Sequence, residues 1–150
     1  MSNAFPLQTL LDLSQLRLDE AARRLGQLIA SEQEATKRHE LLVEYRGEYQ
    51  ARFVAAVQAG LSPREWQNFQ GFLQKLDEAV NQAEVMASQS RQKTSLGQRE
   101  WLSKRGNVKA YDTLAERHRS RLQWQETRRE QKSQDEFAAR GTNDPEHDPI

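Results

Sequence analysis

Apolar side chains recur along the first third of the chain at spacings that alternate between four and three residues. Eleven of the fifteen positions in this series are apolar, a pattern typical of a coiled-coil helix. Besides Ser14, the polar exceptions are Glu32, His39 and Arg46, which fall in its second half, so the pattern is weaker there or its register shifts. The series comprises residues 7, 11, 14, 18, 21, 25, 28, 32, 35, 39, 42, 46, 49, 53 and 56.

A second series with the same spacing begins at Phe69 and continues to Leu122. Eleven of its sixteen positions are apolar, and its middle, from Ser90 to Gly97, consists of small residues. We call the two series together the seam. The second series comprises residues 69, 73, 76, 80, 83, 87, 90, 94, 97, 101, 104, 108, 111, 115, 118 and 122.

Residues 59–66 between the two series carry the signals of one helix ending and another beginning. Gly60 can adopt the left-handed conformation that closes a helix. Ser62 is a good N-cap, Pro63 suits the first helical position, and Glu65 completes a capping box. Leu61 and Trp66 can form a hydrophobic staple. So short a connection predicts two antiparallel neighbouring helices.

The sequence therefore predicts an all-α fold, a long antiparallel coiled-coil hairpin over residues 1–140 with a longer second helix. Helix 1 is expected at about 6–58 and helix 2 at about 63–139, followed by an acidic, disordered tail at 141–150. A turn near Leu61 pairs residues whose numbers add to about 122. This register opposes Phe53 to Phe69 and Leu25 to Gly97, and leaves helix 2 unpaired beyond about residue 116.

Composition supports an elongated helical pair more than a compact globule. Apolar residues make up 36% and charged residues 29% of the 150 residues, and the net charge is zero. The charge is uneven, because residues 91–140 contain thirteen Lys and Arg against seven Asp and Glu. No cysteine is present, and no secretory signal or apolar run of about 20 residues is evident. We therefore expect a cytoplasmic protein.

The sequence offers no candidate catalytic residue, metal ligand set or cofactor site. His39, His118 and His147 lie far apart and lack a second ligand four residues away, and there is no glycine-rich phosphate loop. An aromatic stripe is more informative. Tyr45, Phe72 and Ala79 lie beside the seam rather than on it. They mark either a partner-binding surface or a core that widens near the turn.

Six short stretches, in this order and spacing, resemble the FliJ family, coiled-coil components of the bacterial flagellar type III export apparatus. The resemblance extends without evident gaps from about residue 5 to 141. The stretches are residues 10–13, 19–26, 45–49, 66–73, 110–114 and 135–140.

The resemblance implies a cytoplasmic stalk that enters and activates the hexameric export ATPase FliI, contacts the export-gate protein FlhA and escorts export chaperones. Its association with the inner membrane would be peripheral, through the export apparatus. The gate-binding positions of the family match Leu42, Tyr45, Tyr49, Phe72, Leu76 and Ala79. Beside them, Arg38 and Ala83 depart from the Gln and His of the family. Candidates for contact with the ATPase ring, at the open end of the hairpin, are Asp19, Arg23, Arg128, Phe137 and Arg140.

Two other functions are compatible with the same pattern. One is the equivalent stalk of a virulence-type secretion system. The other is a generic coiled-coil scaffold or nucleic-acid binder that uses the basic region, although Trp124 is thin support for nucleic-acid binding. We do not expect nucleic acid to be a partner.

Overall fold

Two long helices make up nearly all of the described chain. The computed structural model describes residues 3–142. Helix α1 spans Gln8–Ala59 and helix α2 spans Pro63–Thr142, and no strand occurs within the described residues. The predicted all-α, two-helix fold with a longer second helix is confirmed. Helix α1 begins two residues later than predicted and α2 ends at Thr142 rather than near residue 139. Most of the predicted tail, residues 143–150, lies outside the described residues.

The connection between the helices has the predicted left-handed Gly60 and the predicted Ser62 N-cap. Gly60 has a φ of 95°, and its amide donates to the carbonyl of Val57 at 3.2 Å. The Ser62 hydroxyl accepts a hydrogen bond from the amide of Glu65 at 3.2 Å. One helix can therefore end and the next begin within three residues, because side-chain and turn hydrogen bonds satisfy free backbone groups at both ends.

The chain forms two compact units, and both helices contribute to each. The turn unit comprises residues 17–104, and the described part of the terminal unit comprises residues 3–16 and 105–142. In the turn unit the helices pair antiparallel. Arg24 forms a 2.6 Å ion pair with Glu100, and the Thr94 hydroxyl donates to the carbonyl of Leu28 at 3.2 Å. These residue numbers add to about 122, so the predicted register is correct.

Every predicted seam position in the turn unit is buried or half-buried. Glu32, His39 and Arg46 keep their seam positions and are half-buried there. The seam is therefore locally weaker, and its register does not shift. Long polar side chains can occupy such positions when their aliphatic parts pack and their charged ends reach the rim. Arg46 does so, with its guanidinium 3.4 Å from the Asp77 carboxylate.

The helices approach closely at Gly97. A Cβ atom added there would lie 2.5 Å from Cδ1 of Leu28 and 3.7 Å from Cδ1 of Leu25. The predicted meeting of Leu25 and Gly97 is confirmed, and Leu28 is the nearer neighbour. The helix continues through this glycine, which provides room for two leucines.

The terminal unit is also built on the seam. Leu11 and Val108 are buried, and the buried Ser14 hydroxyl donates to the carbonyl of Leu11 at 2.7 Å. That bond explains how a serine is accommodated at a seam position, since a buried hydroxyl needs a partner.

Residues that precede α1 extend the pairing in the terminal unit beyond the prediction. The Phe5 ring lies 5.7 Å from the His118 ring, and His118 Nε2 is 3.3 Å from the carbonyl oxygen of Asn3. Leu122 is half-buried, whereas every side chain from 123 to 141 is exposed. The segment of α2 with only exposed side chains, here called the exposed segment, therefore begins near residue 123 rather than 116, because the segment before α1 covers the intervening part of the helix.

Alanine substitutions at two helical glycines should separate helix propensity from packing. Gly106 faces open space, so Gly106→Ala should raise the free energy of unfolding by about 0.5–1 kcal/mol. Gly97→Ala should raise the free energy of unfolding clearly less, because the Leu28 side chain must move to admit the new Cβ atom. Urea denaturation followed by circular dichroism measures both. Equal gains would contradict a close approach at Gly97.

The N-cap of α2 gives a second test. Ser62→Ala should lower the free energy of unfolding by about 1 kcal/mol, because the Glu65 amide loses its acceptor. Ser62→Asp should retain most of the stability, since a carboxylate accepts the same hydrogen bond. A Ser62→Ala variant that melts like the wild type would show that this cap contributes nothing.

Candidate protein-interaction surfaces

Six aromatic rings form a continuous chain next to the turn. Neighbouring rings alternate between α1 and α2, with centroids 4.5–6.3 Å apart. Tilted and edge-on contacts at such distances are favourable for aromatic pairs and add to the gain from burial. The chain of rings runs Tyr45, Phe72, Tyr49, Phe69, Phe53 and Trp66.

The predicted gate-binding residues all lie in the turn unit, but their exposure differs. Tyr45 and Phe72 are 41% and 37% exposed, and their rings meet edge to face at 6.3 Å. Leu76 is only 6% exposed and belongs to the core. The other three, Leu42, Tyr49 and Ala79, are half-buried. The stripe therefore combines an exposed aromatic pair with core residues beneath it.

Trp66 takes part in this chain of rings, a role that the sequence reading missed. Its ring lies 5.1 Å from the Phe53 ring across the helix pair, while it remains 45% exposed. Continuing the four-three spacing backward from Phe69 by three residues reaches Trp66, so the signal was present. From the sequence, Trp66 is instead assigned to a hydrophobic staple with Leu61.

A shallow apolar groove borders the exposed aromatic pair. One hollow of about 300 Å³ is lined by Leu41, Leu42, Ala79, Met86 and Arg38, among others. An adjoining hollow of about 260 Å³ shares Arg38 and Met86 and continues toward Ser31 and Ser90. Leu41 and Met86 were absent from the predicted set. Met86 follows Ala79 by seven residues, so the heptad spacing of the stripe could have indicated it.

The candidate residues for ATPase contact are all exposed and divide between the two units. Asp19 and Arg23 lie on α1 in the turn unit. Arg128, Phe137 and Arg140 lie on the exposed segment of α2 in the terminal unit, and Phe137 is 80% exposed. The Arg128 guanidinium carbon is 5.1 Å from the centroid of the Trp124 ring, a cation–π arrangement.

The exposed segment of α2 is not itself basic. Residues 91–122 contain nine Lys and Arg against three Asp and Glu, whereas residues 123–142 contain four of each. The excess of positive charge in residues 91–140 thus lies before the exposed segment. Within residues 3–142, neither helix is apolar enough over a sufficient length to cross a membrane.

Comparison with known proteins agrees with this architecture and with the resemblance read from the sequence. The family model described as the flagellar FliJ protein matches residues 2–146. Flagellar FliJ proteins of Salmonella typhi and of Escherichia coli strain K12 are each 34% identical to the chain over 134 residues. Each alignment covers 89% of this chain and 91% of the relative. The chain therefore belongs to the flagellar FliJ protein family.

Proposed function

We propose that the protein is a non-enzymatic component of the flagellar type III export apparatus. In this role it acts as a helical stalk that binds and activates the hexameric export ATPase FliI. The observation that carries the proposal is the family match over residues 2–146. An antiparallel pair of long helices with one narrow seam supports it, since such a pair offers long exposed faces for binding.

The exposed pair Tyr45 and Phe72 is the centre of the proposed contact with the export-gate protein FlhA. Aromatic side chains that are partly exposed and supported from below are typical anchors of protein interfaces. Leu42, Tyr49 and Ala79 border the pair, and Leu76 holds it from the core. The shallow groove at Leu41 and Met86 extends the available apolar surface.

Asp19, Arg23, Arg128, Phe137 and Arg140 are the proposed contacts to the ATPase ring. All five are exposed, and residues 123–141 of α2 have no buried side chain, so this segment is available to a partner. Escort of export chaperones completes the proposed role. The protein would work in the cytoplasm and reach the inner membrane only through the export apparatus, without binding nucleic acid.

Removing the Phe72 ring should weaken binding to FlhA with little loss of stability. Phe72→Ala should reduce the affinity for the cytoplasmic part of FlhA about tenfold or more, as expected for a central aromatic anchor. Its melting temperature should fall only slightly because the ring is 37% exposed. Binding measured by calorimetry, with melting followed by circular dichroism, tests both expectations.

Two further variants serve as controls for Phe72→Ala. Leu76→Ala should destabilise the hairpin by about 2–4 kcal/mol, because it leaves a cavity in the core. Val85→Ala removes an exposed apolar side chain on a different face of α2 and should change neither property. If Phe72→Ala lost as much stability as Leu76→Ala and bound FlhA normally, the aromatic pair would be core and the gate contact would lie elsewhere.

Shortening α2 tests the contact with the ATPase. A chain ending at Leu122 should melt like the wild type, since residues 123–141 are exposed, but should lose most of its stimulation of ATP hydrolysis by FliI. A chain ending at Thr142 is the matched control and should stimulate normally. Full stimulation by the shorter chain would show that the exposed segment does not contact the ATPase. A wild-type chain that fails to stimulate ATP hydrolysis would refute the proposed ATPase role.

A further inference from the structure

We infer that an exposed stripe on α2 binds an acidic surface of another protein. The stripe lies in the terminal unit and contains four cationic side chains and one aromatic ring. We call it the basic stripe. Its members are Arg117, Arg121, Trp124, Arg128 and Lys132.

Helix geometry places these five side chains on one face. Successive members are separated by four, three, four and four residues, which keeps them aligned along a helix of 3.6 residues per turn. All five are exposed, and Trp124 is 59% exposed. The stripe is about 22 Å long at 1.5 Å per residue, which is the length of four turns of a partner helix.

Charge is segregated around this part of the helix. At 100° per residue, Asp112, Glu116, Glu126 and Glu130 all lie about 120° or more from the centre of the stripe. Asp135, three residues after Lys132, is the nearby acidic residue that shares the face of the stripe. Within residues 3–142, none of the four cations forms an ion pair.

The like charges on the stripe are unfavourable for the isolated helix. Arg117 and Arg121 are four residues apart, as are Arg128 and Lys132, and such pairs destabilise a helix. Acidic residues between the members of the stripe would relieve the repulsion, but those between Arg117 and Lys132 lie on other faces, and Asp135 adjoins only the Lys132 end. A partner that brings carboxylates to the stripe would supply the missing compensation.

The aromatic contact indicates what kind of partner fits. The Arg128 guanidinium lies over the Trp124 ring, with 5.1 Å between its carbon and the ring centroid. This stacking orders a planar fork of donors that matches a carboxylate bidentately. Trp and Arg are also the residue types that contribute most often to the centres of protein interfaces.

A membrane and a nucleic acid fit the stripe less well. A helix that lies on a bilayer needs an apolar face, and Trp124 is the only apolar member of the stripe. A nucleic-acid base needs an open aromatic face for stacking, and Arg128 covers one face of Trp124. The observations therefore favour a partner helix with carboxylates at four-residue spacing.

This inference does not rest on the proposed ATPase contact. Arg128 is common to both, but the other four members of the stripe follow from the arrangement on α2 alone. The test therefore uses the purified full-length chain without FliI, so that failure of one proposal leaves the other standing.

The probe is a fluorescently labelled helical peptide of about 20 residues with Glu at every fourth position. A peptide with Gln at the same positions controls for shape. Fluorescence anisotropy at about 0.15 M salt should show saturable binding of the Glu peptide only. Arg121→Gln with Arg128→Gln should weaken that binding about tenfold.

A matched double variant separates position from net charge. Arg119→Gln with Arg129→Gln removes the same charge from exposed sites away from the stripe, and should weaken binding less than twofold. Neither double variant should lower the melting temperature, since Arg121→Gln with Arg128→Gln also removes one member of each like-charged pair. Equal losses in the two double variants, or no binding by the wild type, would overturn the inference. Tighter binding to polyuridylate or to phosphatidylglycerol vesicles than to the Glu peptide would also overturn it, in favour of those partners.

Discussion

The pairing of two complementary heptad series in one antiparallel register is the constraint on which the rest of this structure depends. Each helix alone is too polar to be stable, and it becomes stable by burying its seam against the other. The connection at Gly60 and Ser62 fixes the register, because it is too short to let one helix slide along the other. A shift by one residue would move every seam side chain away from its partner.

The same register explains which unusual residues the seam tolerates. Gly97 leaves space for Leu25 and Leu28, and Ser14 satisfies its buried hydroxyl within its own helix. Arg46 reaches Asp77 at the rim. In a narrow seam, long polar side chains at nearly every position can reach solvent at its edge. Polar residues therefore lower the free energy of unfolding less here than they would in the centre of a globular core.

A hairpin with so little interior leaves most of its side chains available to partners. The two proposed interaction surfaces, the aromatic pair Tyr45 and Phe72 and the basic stripe on α2, differ in character. The aromatic pair is held by rings and core residues beneath it, so it is rigid and apolar. The basic stripe lies on an exposed face of α2, where the cationic side chains can change rotamer.

The sequence by itself determined the seam, the turn and the register, since these follow from residue spacing and local capping. It also indicated Tyr45 and Phe72, because they break the seam pattern. Only the tertiary structure decided that Tyr45 and Phe72 stay partly exposed, that Trp66 joins the chain of rings and that Asn3 and Phe5 contact His118. These outcomes depend on how far each side chain reaches across the helix pair. Spacing along one helix specifies a face, but only packing against the other helix decides how deeply a side chain is buried.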